Sequence, residues 1–202
     1  DLNTLKELGL YENTLIIFSS DNGPTYSGGA DSPWFDSARP FKSEYGWGKG
    51  YLTEGGIRVP MIAQWPEKIK ASSETELLSA HYDILPTICD IIGVKPSPKI
   101  DGISFLPTLL GQDNQKKHDF LYWEFPAYGG QQAVRMGKWK GIRKDIFKNN
   151  LQIHLYNLEE DIHELNDVSA LHPDVIQKIE EIFQKEHIPS EIKSFQMVQL
   201  GD

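Results

Sequence analysis

The stretch that decides the fold is TLIIFSSDNG, residues 14–23. It is a short apolar, β-branched run that ends in polar residues, which is typical of a parallel strand covered on both faces. In open α/β sheets, binding and catalytic groups lie just beyond the carboxyl ends of such strands. The stretch therefore predicts an α/β fold, with Asp21 and Asn22 as two adjacent oxygen donors at the end of a strand.

A second block, GKGYLTEGGIRVP at residues 48–60, places a lysine between two glycines and leads into a strand candidate at residues 61–65. Glycines on either side of Lys49 let the backbone approach a ligand closely. Taken alone, a loop lysine is more often a solvated charge, and Asp21-Asn22-Gly23 is more often an Asx turn that ends a strand. The residues by themselves leave these alternatives open.

Polar residues around the second strand candidate have structural interpretations. We expect Glu54 and Arg58 to pair across the turn ahead of this strand and to brace the loop. His81 and Asp83 precede an apolar helix and invite a general-base role, but such a histidine is more often a hydrogen-bonded structural residue. Asp83 fits the N-cap of that helix, and Gly93 fits the position just past its end.

The chain divides into two predicted regions. Residues 1–110 indicate a helix, a strand, a long loop, a strand and a helix, and a polar linker at 111–117 leads to a small α+β subdomain at 118–202. For this subdomain we predict a terminal helix and an antiparallel sheet, with strands at 120–125, 132–136, 139–143 and 152–157 and the helix at 173–187. Apolar stripes predict the buried faces of two helices: Ile84, Leu85, Ile88, Ile91 and Ile92 in the first, and Val175, Ile176, Ile179, Ile182 and Phe183 in the second.

Composition narrows the class of protein. A chain of 202 residues with 39% hydrophobic content is long enough to bury one core and a small second one. Its formal net charge of −9 argues against nucleic acid as a partner. No apolar run approaches the roughly 20 residues of a membrane-spanning helix. The single cysteine, Cys89, lies in an apolar helical pattern, so we expect a buried small hydrophobe.

Two further segments are candidates for substrate contact. A basic cluster at residues 135–144, interleaved with Trp139, suits one face of a sheet, where Arg135, Lys138 and Trp139 would bind an anionic sugar. The alternative is a solvated face beside a hairpin. Residues 26–29 and the pair Trp34-Phe35 lie in the loop after Asn22, a position that commonly shapes a substrate pocket.

Five blocks of the chain together resemble the second half of a formylglycine-dependent sulfatase of the arylsulfatase type, within the alkaline-phosphatase-like superfamily. The similarity covers nearly the whole chain and keeps the order of the family's motifs. The blocks are ENTLIIFSSDNG (12–23), GKGYLTEGGIRVP (48–60), SAHYDILPT (79–87), DGIS (101–104) and LYNLEED (155–161).

The resemblance implies a fold, a reaction and a set of site residues. Residues 1–110 would be the C-terminal portion of the catalytic α/β domain, part of a mixed sheet flanked by helices. Asp21 and Asn22 would bind Ca²⁺, with Mg²⁺ as the alternative, because both offer hard oxygen donors. Lys49 would be the catalytic lysine, which holds the sulfate and offsets charge on the bridging oxygen of the ester.

The chain lacks the family's Cys/Ser-X-Pro/Ala-X-Arg motif, whose first residue becomes the formylglycine nucleophile. We therefore expect a fragment that is inactive alone, has the N-terminal half of the same protein as its partner, and forms oligomers through uncovered apolar surface. The expected substrate is a sulfated small molecule or a sulfated glycan. The sequence does not give the location, although the resemblance implies the periplasm or secretion. Two alternatives remain: a phosphatase or phosphonate hydrolase of the same superfamily, and a non-catalytic module that binds sulfated glycans.

Overall fold

The computed structural model describes residues 2–25 and 30–202. These residues form five helices and six strands, together with short 3₁₀ turns. The helices are α1 (Leu2–Glu7), α2 (Glu54–Ile57), α3 (Ile84–Ile92), α4 (Leu106–Leu109) and α5 (Pro173–Glu186), and the strands are β1 (Ile16–Ser19), β2 (Met61–Gln64), β3 (Leu121–Phe125), β4 (Gln131–Met136), β5 (Trp139–Lys144) and β6 (Ile153–Asn157). The 3₁₀ turns are His81–Asp83, Ile146–Lys148, Ser169–Leu171, Lys193–Phe195 and Val198–Leu200. The candidate loop at residues 26–29 lies outside the described residues.

The chain forms two compact units that are interleaved in sequence. The first unit joins Asp1–Ser19 to Pro60–Asp119, and the second joins Ser20–Val59 to Phe120–Asp202. The long loop between the first two strands therefore belongs to the same compact unit as the C-terminal sheet. The family domain boundaries at 1–110 and 118–202 stay a prediction, since a division into compact units does not test them.

The first unit contains a two-stranded antiparallel sheet. Ile16 is opposite Gln64 and Ser19 is opposite Met61. The prediction of a parallel strand covered on both faces is therefore wrong for the described residues. The loop after β1 returns the chain to the same end of the sheet, so β2 runs antiparallel to β1. The strand is also not covered on both faces, because Phe18 is 64% exposed.

Helix α3 begins and ends as predicted, but it buries a different face. Gly93 follows the helix in the left-handed conformation, and Cys89 is a buried free cysteine. The apolar stripe is largely exposed, with Leu85 at 56% and Ile88 at 44%, so that prediction is wrong in the described chain. The physical reason is a polar contact on the opposite side, where the buried Thr87 hydroxyl accepts a hydrogen bond from the Phe105 backbone N–H at 3.0 Å.

The second unit is built on a four-stranded antiparallel sheet in the order β3-β4-β5-β6. All four predicted strands are present, and Met136 faces Trp139 across the two-residue turn at Gly137 and Lys138. The predicted terminal helix is also confirmed, with Pro173 at its first position. These segments carry strong local signals, namely alternating side chains, glycine turns and a helical stripe, which explains why the sequence predicts them well.

Each face of this sheet is covered by a different part of the chain. On one face, called the helix face, the apolar stripe of α5 packs against Val134, Ile153 and Leu155. On the other, called the loop face, Leu52 packs against a second cluster, which contains Ala133, Ile142, Tyr156 and Leu158. The loop face therefore holds the segment that contains Lys49 against the C-terminal sheet.

Candidate functional site

The first part of the candidate site is a tight turn at residues 20–23, directly after β1. The Ser20 hydroxyl donates a hydrogen bond to the Asn22 carbonyl at 2.8 Å, and Asn22 Nδ2 donates one to the Gly23 carbonyl at 2.9 Å. The second bond uses the amide nitrogen of Asn22, so its Oδ1 keeps its role as an acceptor. An Asx turn would instead use that oxygen to accept a backbone N–H. These two hydrogen bonds do not use the side-chain oxygen of Asn22.

The second part is the lysine loop, defined here as residues 48–58. The Gly23 N–H donates a hydrogen bond to the Gly56 carbonyl at 2.8 Å, and the Lys49 N–H donates one to the Pro24 carbonyl at 2.9 Å. A Cβ atom added at Gly23 would lie 1.8 Å from the Gly55 carbonyl oxygen, so no side chain fits there. Two backbone hydrogen bonds and a glycine contact therefore join the turn to the lysine loop.

These contacts bring the predicted site residues into one backbone assembly. The side chains of Asp21 and Lys49 are exposed, and that of Asn22 is half-buried. Carboxylate and amide oxygens suit a hard cation such as Ca²⁺, which takes six to eight oxygen ligands. Among the described residues, no group of three or more His, Cys, Asp or Glu side chains forms a metal cluster. Asp21 and Asn22 thus offer the type of oxygen donor that such a cation takes.

Glu54 anchors the lysine loop to the C-terminal sheet. Its carboxylate is buried, with Lys140 Nζ 2.7 Å from Oε1, and Arg58 and Arg135 at 3.3 and 3.5 Å from Oε2. Burial alone would raise the pKa of Glu54, but the charge and hydrogen bond of Lys140, with Arg135 and Arg58, outweigh it and hold the pKa below its ordinary value. Glu54 is therefore a buried carboxylate in an ionic network, and the predicted pair with Arg58 is present.

Two further side chains hold the backbone of the lysine loop. The Glu54 N–H donates a hydrogen bond to Glu164 Oε2 at 2.8 Å. Burial raises the pKa of Glu164, and the attraction of Lys140 only partly opposes this effect. Gln131 accepts a hydrogen bond from the Leu52 N–H at 3.2 Å and donates one to the Gly50 carbonyl at 2.9 Å. One amide side chain thus bridges two backbone groups on either side of Tyr51.

The predicted basic sheet face is wrong in its geometry. Successive side chains of β5 point to opposite faces, so Lys140 and Arg143 are separated. Lys140 is fully buried on the loop face, whereas Arg143 pairs with Glu180 of α5. The Trp139 ring packs on His172 with centroids 4.6 Å apart.

Of the three residues predicted to bind sugar, Arg135 faces Glu54 in the ionic network. Lys138 is half-buried, with Nζ 5.0 Å from the Trp139 ring centroid. The structure therefore does not bring the three together on one open surface. A sugar-binding role for Lys138 and Trp139 stays a prediction.

His81 and Asp83 have the structural surroundings expected for them. His81 Nε2 lies 3.3 Å from the Ser19 hydroxyl. The buried Asp83 carboxylate accepts hydrogen bonds from the N–H groups of Ala80 and Ile103, each at 2.8 Å. His118 Nε2 also lies 2.9 Å from Asp83 Oδ1. The sequence gives no signal for His118, because it follows a polar linker.

Three residues that hold the lysine loop were not predicted from the sequence in this role: Gln131, Lys140 and Glu164. The sequence does contain a signal for Lys140. It lies two residues before the apolar Ile142 in the same strand, so the two side chains point to the same buried face. Gln131 and Glu164 have no comparable signal. Their partners are 79 to 110 residues away in sequence, and a local pattern does not encode such contacts.

A cavity of about 400 Å³ is lined mainly by the segment that precedes the lysine loop, residues 33–44. Its wall includes Ser43, which lies close to Gly48 of the lysine loop. A Cβ atom added at Gly48 would be 3.5 Å from the Ser43 carbonyl oxygen. Arg39 and His163 also line the cavity and are exposed. The guanidinium of Arg39 has Asp36 at 3.9 Å, a weak surface pair. The cavity thus contains open polar groups, and one residue of its wall lies close to the lysine loop.

Comparison with known proteins identifies the family. Residues 43–196 match the family model described as N-sulphoglucosamine sulphohydrolase, C-terminal. An N-acetylgalactosamine-6-O-sulfatase of Bacteroides thetaiotaomicron is 30% identical in an alignment 199 residues long, which covers 91% of this chain and 38% of the relative.

Solved structures share the fold. The crystal structure of Ps i-CgsB in complex with k-i-k-neocarrahexaose has a TM-score of 0.71 and 32% identity, over 90% of this chain and 39% of the other. A phosphonate monoester hydrolase of Agrobacterium radiobacter has a TM-score of 0.68 and 25% identity, over 91% of this chain and 36% of the other.

The chain belongs to the sulfatase family, within an alkaline-phosphatase-like α/β fold. It spans about two fifths of the length of the relatives that it matches. Within the described residues, no helix is long and apolar enough to cross a membrane.

Proposed function

We propose that this chain is the C-terminal part of a formylglycine-dependent sulfatase that hydrolyses sulfate esters. The observation that carries the proposal is the backbone assembly that joins the Asp21–Gly23 turn to the lysine loop. Oxygen donors for a cation and a flexible cationic side chain together suit a site where an anionic sulfate ester is cleaved. Two hydrogen bonds, each below 3.0 Å, fix the two segments to each other.

The residues of this chain would orient and neutralise the sulfate. Asp21 and Asn22 would hold Ca²⁺ or Mg²⁺ through their oxygens, with the other ligands supplied by the N-terminal half of the protein. Lys49 would bind a sulfate oxygen and offset the charge that develops on the bridging oxygen as the ester bond breaks. Formylglycine, which this chain does not contain, would supply the nucleophile. Glu54 and Arg58 would keep the loop of Lys49 in place.

A sulfated glycan is the substrate class that we favour over a small sulfate ester. Two relatives support this choice. The Bacteroides relative is named as a sulfatase of N-acetylgalactosamine, and the structure of Ps i-CgsB contains a neocarrahexaose. The cavity beside the lysine loop would accommodate sugar units next to the sulfate, with Arg39 in contact with their anionic groups. Arg39→Ala should then raise KM for a sulfated oligosaccharide several-fold while leaving that for 4-nitrophenyl sulfate unchanged.

A phosphonate or phosphate ester hydrolase is the second candidate. The similarity to a phosphonate monoester hydrolase favours it at the level of the fold. Asn22 argues against it, because relatives that cleave phosphate commonly have a histidine after the aspartate and bind a transition metal. The amide oxygen of Asn22 instead suits calcium.

The test is a substrate comparison on the full-length protein. We expect hydrolysis of 4-nitrophenyl sulfate, with kcat/KM well above that for 4-nitrophenyl phosphate and for a phenylphosphonate ester. A chelator should abolish the activity and added Ca²⁺ should restore it. A clear preference for phosphate or phosphonate would contradict the proposal, as would activity that survives exhaustive chelation.

The 202-residue chain alone should not hydrolyse a sulfate ester, because it lacks the nucleophile. Intact mass of the full-length protein should show the change from cysteine or serine to formylglycine. Retention of a sulfated glycan by the chain without added calcium would instead favour a non-catalytic binding module. We also propose a periplasmic or secreted location, which cell fractionation checks.

A further inference from the structure

We infer that Gln131 and Lys140, on the C-terminal sheet, are positioning residues for Lys49. The inference rests on the proposed sulfatase function, because it assigns these residues a part in presenting Lys49 to the ester. It goes further in one respect. The C-terminal sheet, which contains neither Lys49 nor the proposed cation ligands Asp21 and Asn22, would determine how fast a sulfate ester with a poor leaving group is cleaved.

The first support is the double hydrogen bond of Gln131. Gln131 is the first residue of β4 and is only 1% exposed. The sheet therefore fixes its position. Its amide accepts from the Leu52 N–H and donates to the Gly50 carbonyl. Gly50 follows Lys49 directly and has a positive φ of 92°. A glycine at this position has wide conformational freedom. The hydrogen bond from Gln131 to its carbonyl therefore restricts the backbone next to Lys49.

The second support is the buried ammonium of Lys140. Its side chain is fully buried, and Nζ lies 2.7 Å from Glu54 Oε1. Burying a charge is costly in desolvation, and only a partner held in good geometry offsets that cost. Glu54 begins α2, and its N–H in turn donates to Glu164. The sheet thus holds the loop on both sides of Thr53, once through Gln131 and once through Lys140.

The consequence for the reaction concerns the bridging oxygen. If Lys49 offsets the charge on this oxygen, its contribution is largest for an ester whose leaving group is a strong base. A displacement of about 1 Å at a catalytic group costs up to about 100-fold in rate. Loosening the loop should therefore slow phenyl sulfate more than 4-nitrophenyl sulfate. Loss of folded protein lowers both rates by the same factor and leaves their ratio unchanged.

The experiment compares this ratio of kcat/KM values in the full-length protein. Gln131→Ala and Lys140→Met should raise the preference for 4-nitrophenyl sulfate about tenfold, in the direction of the change that Lys49→Ala causes. Lys140→Arg should recover part of the loss. The matched control is Arg143→Met, which removes another buried cation of β5 from the helix face, where it pairs with Glu180. Its ratio should equal that of the wild type.

Hydrogen exchange on the 202-residue chain gives an independent readout. The Leu52 N–H should exchange at least about tenfold faster in Gln131→Ala, since it loses its acceptor, and at the wild-type rate in Arg143→Met. If Lys140→Met does not fold, Gln131→Ala and Lys140→Arg decide. An unchanged ratio in folded Gln131→Ala would overturn the inference, as would an equal change in Arg143→Met. A wild-type protein without sulfate-ester turnover would instead refute the proposed function.

Discussion

The two sheets of the molecule have similar apolar strands but very different coverage. In the four-stranded sheet, Val134, Ile142 and Leu155 are fully buried, because α5 covers one face and the lysine loop covers the other. In the two-stranded sheet, Phe18 and Ile62 are 64% and 62% exposed. Strand composition is therefore a poor guide to burial, which depends on what the rest of the chain places over each face.

The two faces of the four-stranded sheet should also respond differently to substitution. The helix face is a conventional apolar core, and its substitution should change the free energy of unfolding. The loop face combines apolar contacts with a buried ionic network, and it holds the segment that carries Lys49. The uncovered strands of the first unit should contribute little to the stability of this chain.

The largest expected effect is at the centre of the helix face. Phe183 is 1% exposed and packs within the core cluster under α5. Phe183→Ala should lower the free energy of unfolding by about 3–5 kcal/mol, because it removes a buried ring and leaves a cavity. Urea denaturation measures it. Leu171→Ala, at a side chain 74% exposed, is the control and should change stability by less than about 0.5 kcal/mol.

The next largest loss of stability should come from Gly56, which is closely packed within the lysine loop. A Cβ added at Gly56 would lie 2.0 Å from the Tyr51 carbonyl oxygen, whereas one at Gly111 meets no atom within 4 Å. Gly56→Ala should cost about 1–3 kcal/mol or more through overpacking. Gly111→Ala should cost only about 1 kcal/mol, from its positive φ. Thermal unfolding of the two variants compares them, and equal losses would mean that the loop is not closely packed.

A smaller, pH-dependent effect should come from Glu164. Its pKa is raised in the folded state, because burial disfavours the charged form. The folded protein therefore holds this proton more tightly than the unfolded chain, and stability falls as pH rises from the ordinary pKa of a glutamate through the raised value. Glu54 has a lowered pKa and acts in the opposite sense, since its stabilisation is lost as pH falls through that lowered value.

Glu164→Gln keeps an acceptor for the Glu54 N–H and removes the titration. The difference in melting temperature, variant minus wild type, should therefore increase from pH 4 to pH 7.5. A constant difference across this range would show that Glu164 titrates alike in the folded and unfolded states.

The smallest effect is expected on the uncovered surface of the first unit. Ile92→Ser and Phe18→Ser should each change the stability of the isolated chain by less than about 0.5 kcal/mol, because both side chains are 64% exposed. Urea denaturation over a range of protein concentrations tests this. A loss above about 2 kcal/mol, or a midpoint that rises with concentration, would mean that an oligomer covers this surface.

Much of the second unit is predictable from sequence because its signals are local. Strands β3 to β6 alternate over short distances, and the stripe of α5 recurs at helical spacing, so register and buried face follow directly. The direction of β1 is not predictable in this way. A short apolar run does not specify its neighbour, and the stripe of α3 does not reveal that Thr87 bonds to Phe105 on the opposite side.

The candidate site was predictable in part for the same reason. Asp21, Asn22 and Lys49 are marked by glycines that the close backbone contacts require. Glu54 and Arg58 are four residues apart, so their pair is a local feature. The contacts from Gln131, Lys140 and Glu164 are long-range. Of these, only Lys140 had a signal in its own strand, the alternation with an apolar neighbour.

The central claim is that Lys49 acts on a sulfate ester, and its removal tests this claim most directly. In the full-length protein, Lys49→Ala should lower kcat/KM for phenyl sulfate by at least about 100-fold, and by less for 4-nitrophenyl sulfate. The control is Lys148→Ala, at a lysine side chain that is 77% exposed in the same unit, and it should match the wild type. Unchanged hydrolysis of both esters by Lys49→Ala would contradict the account.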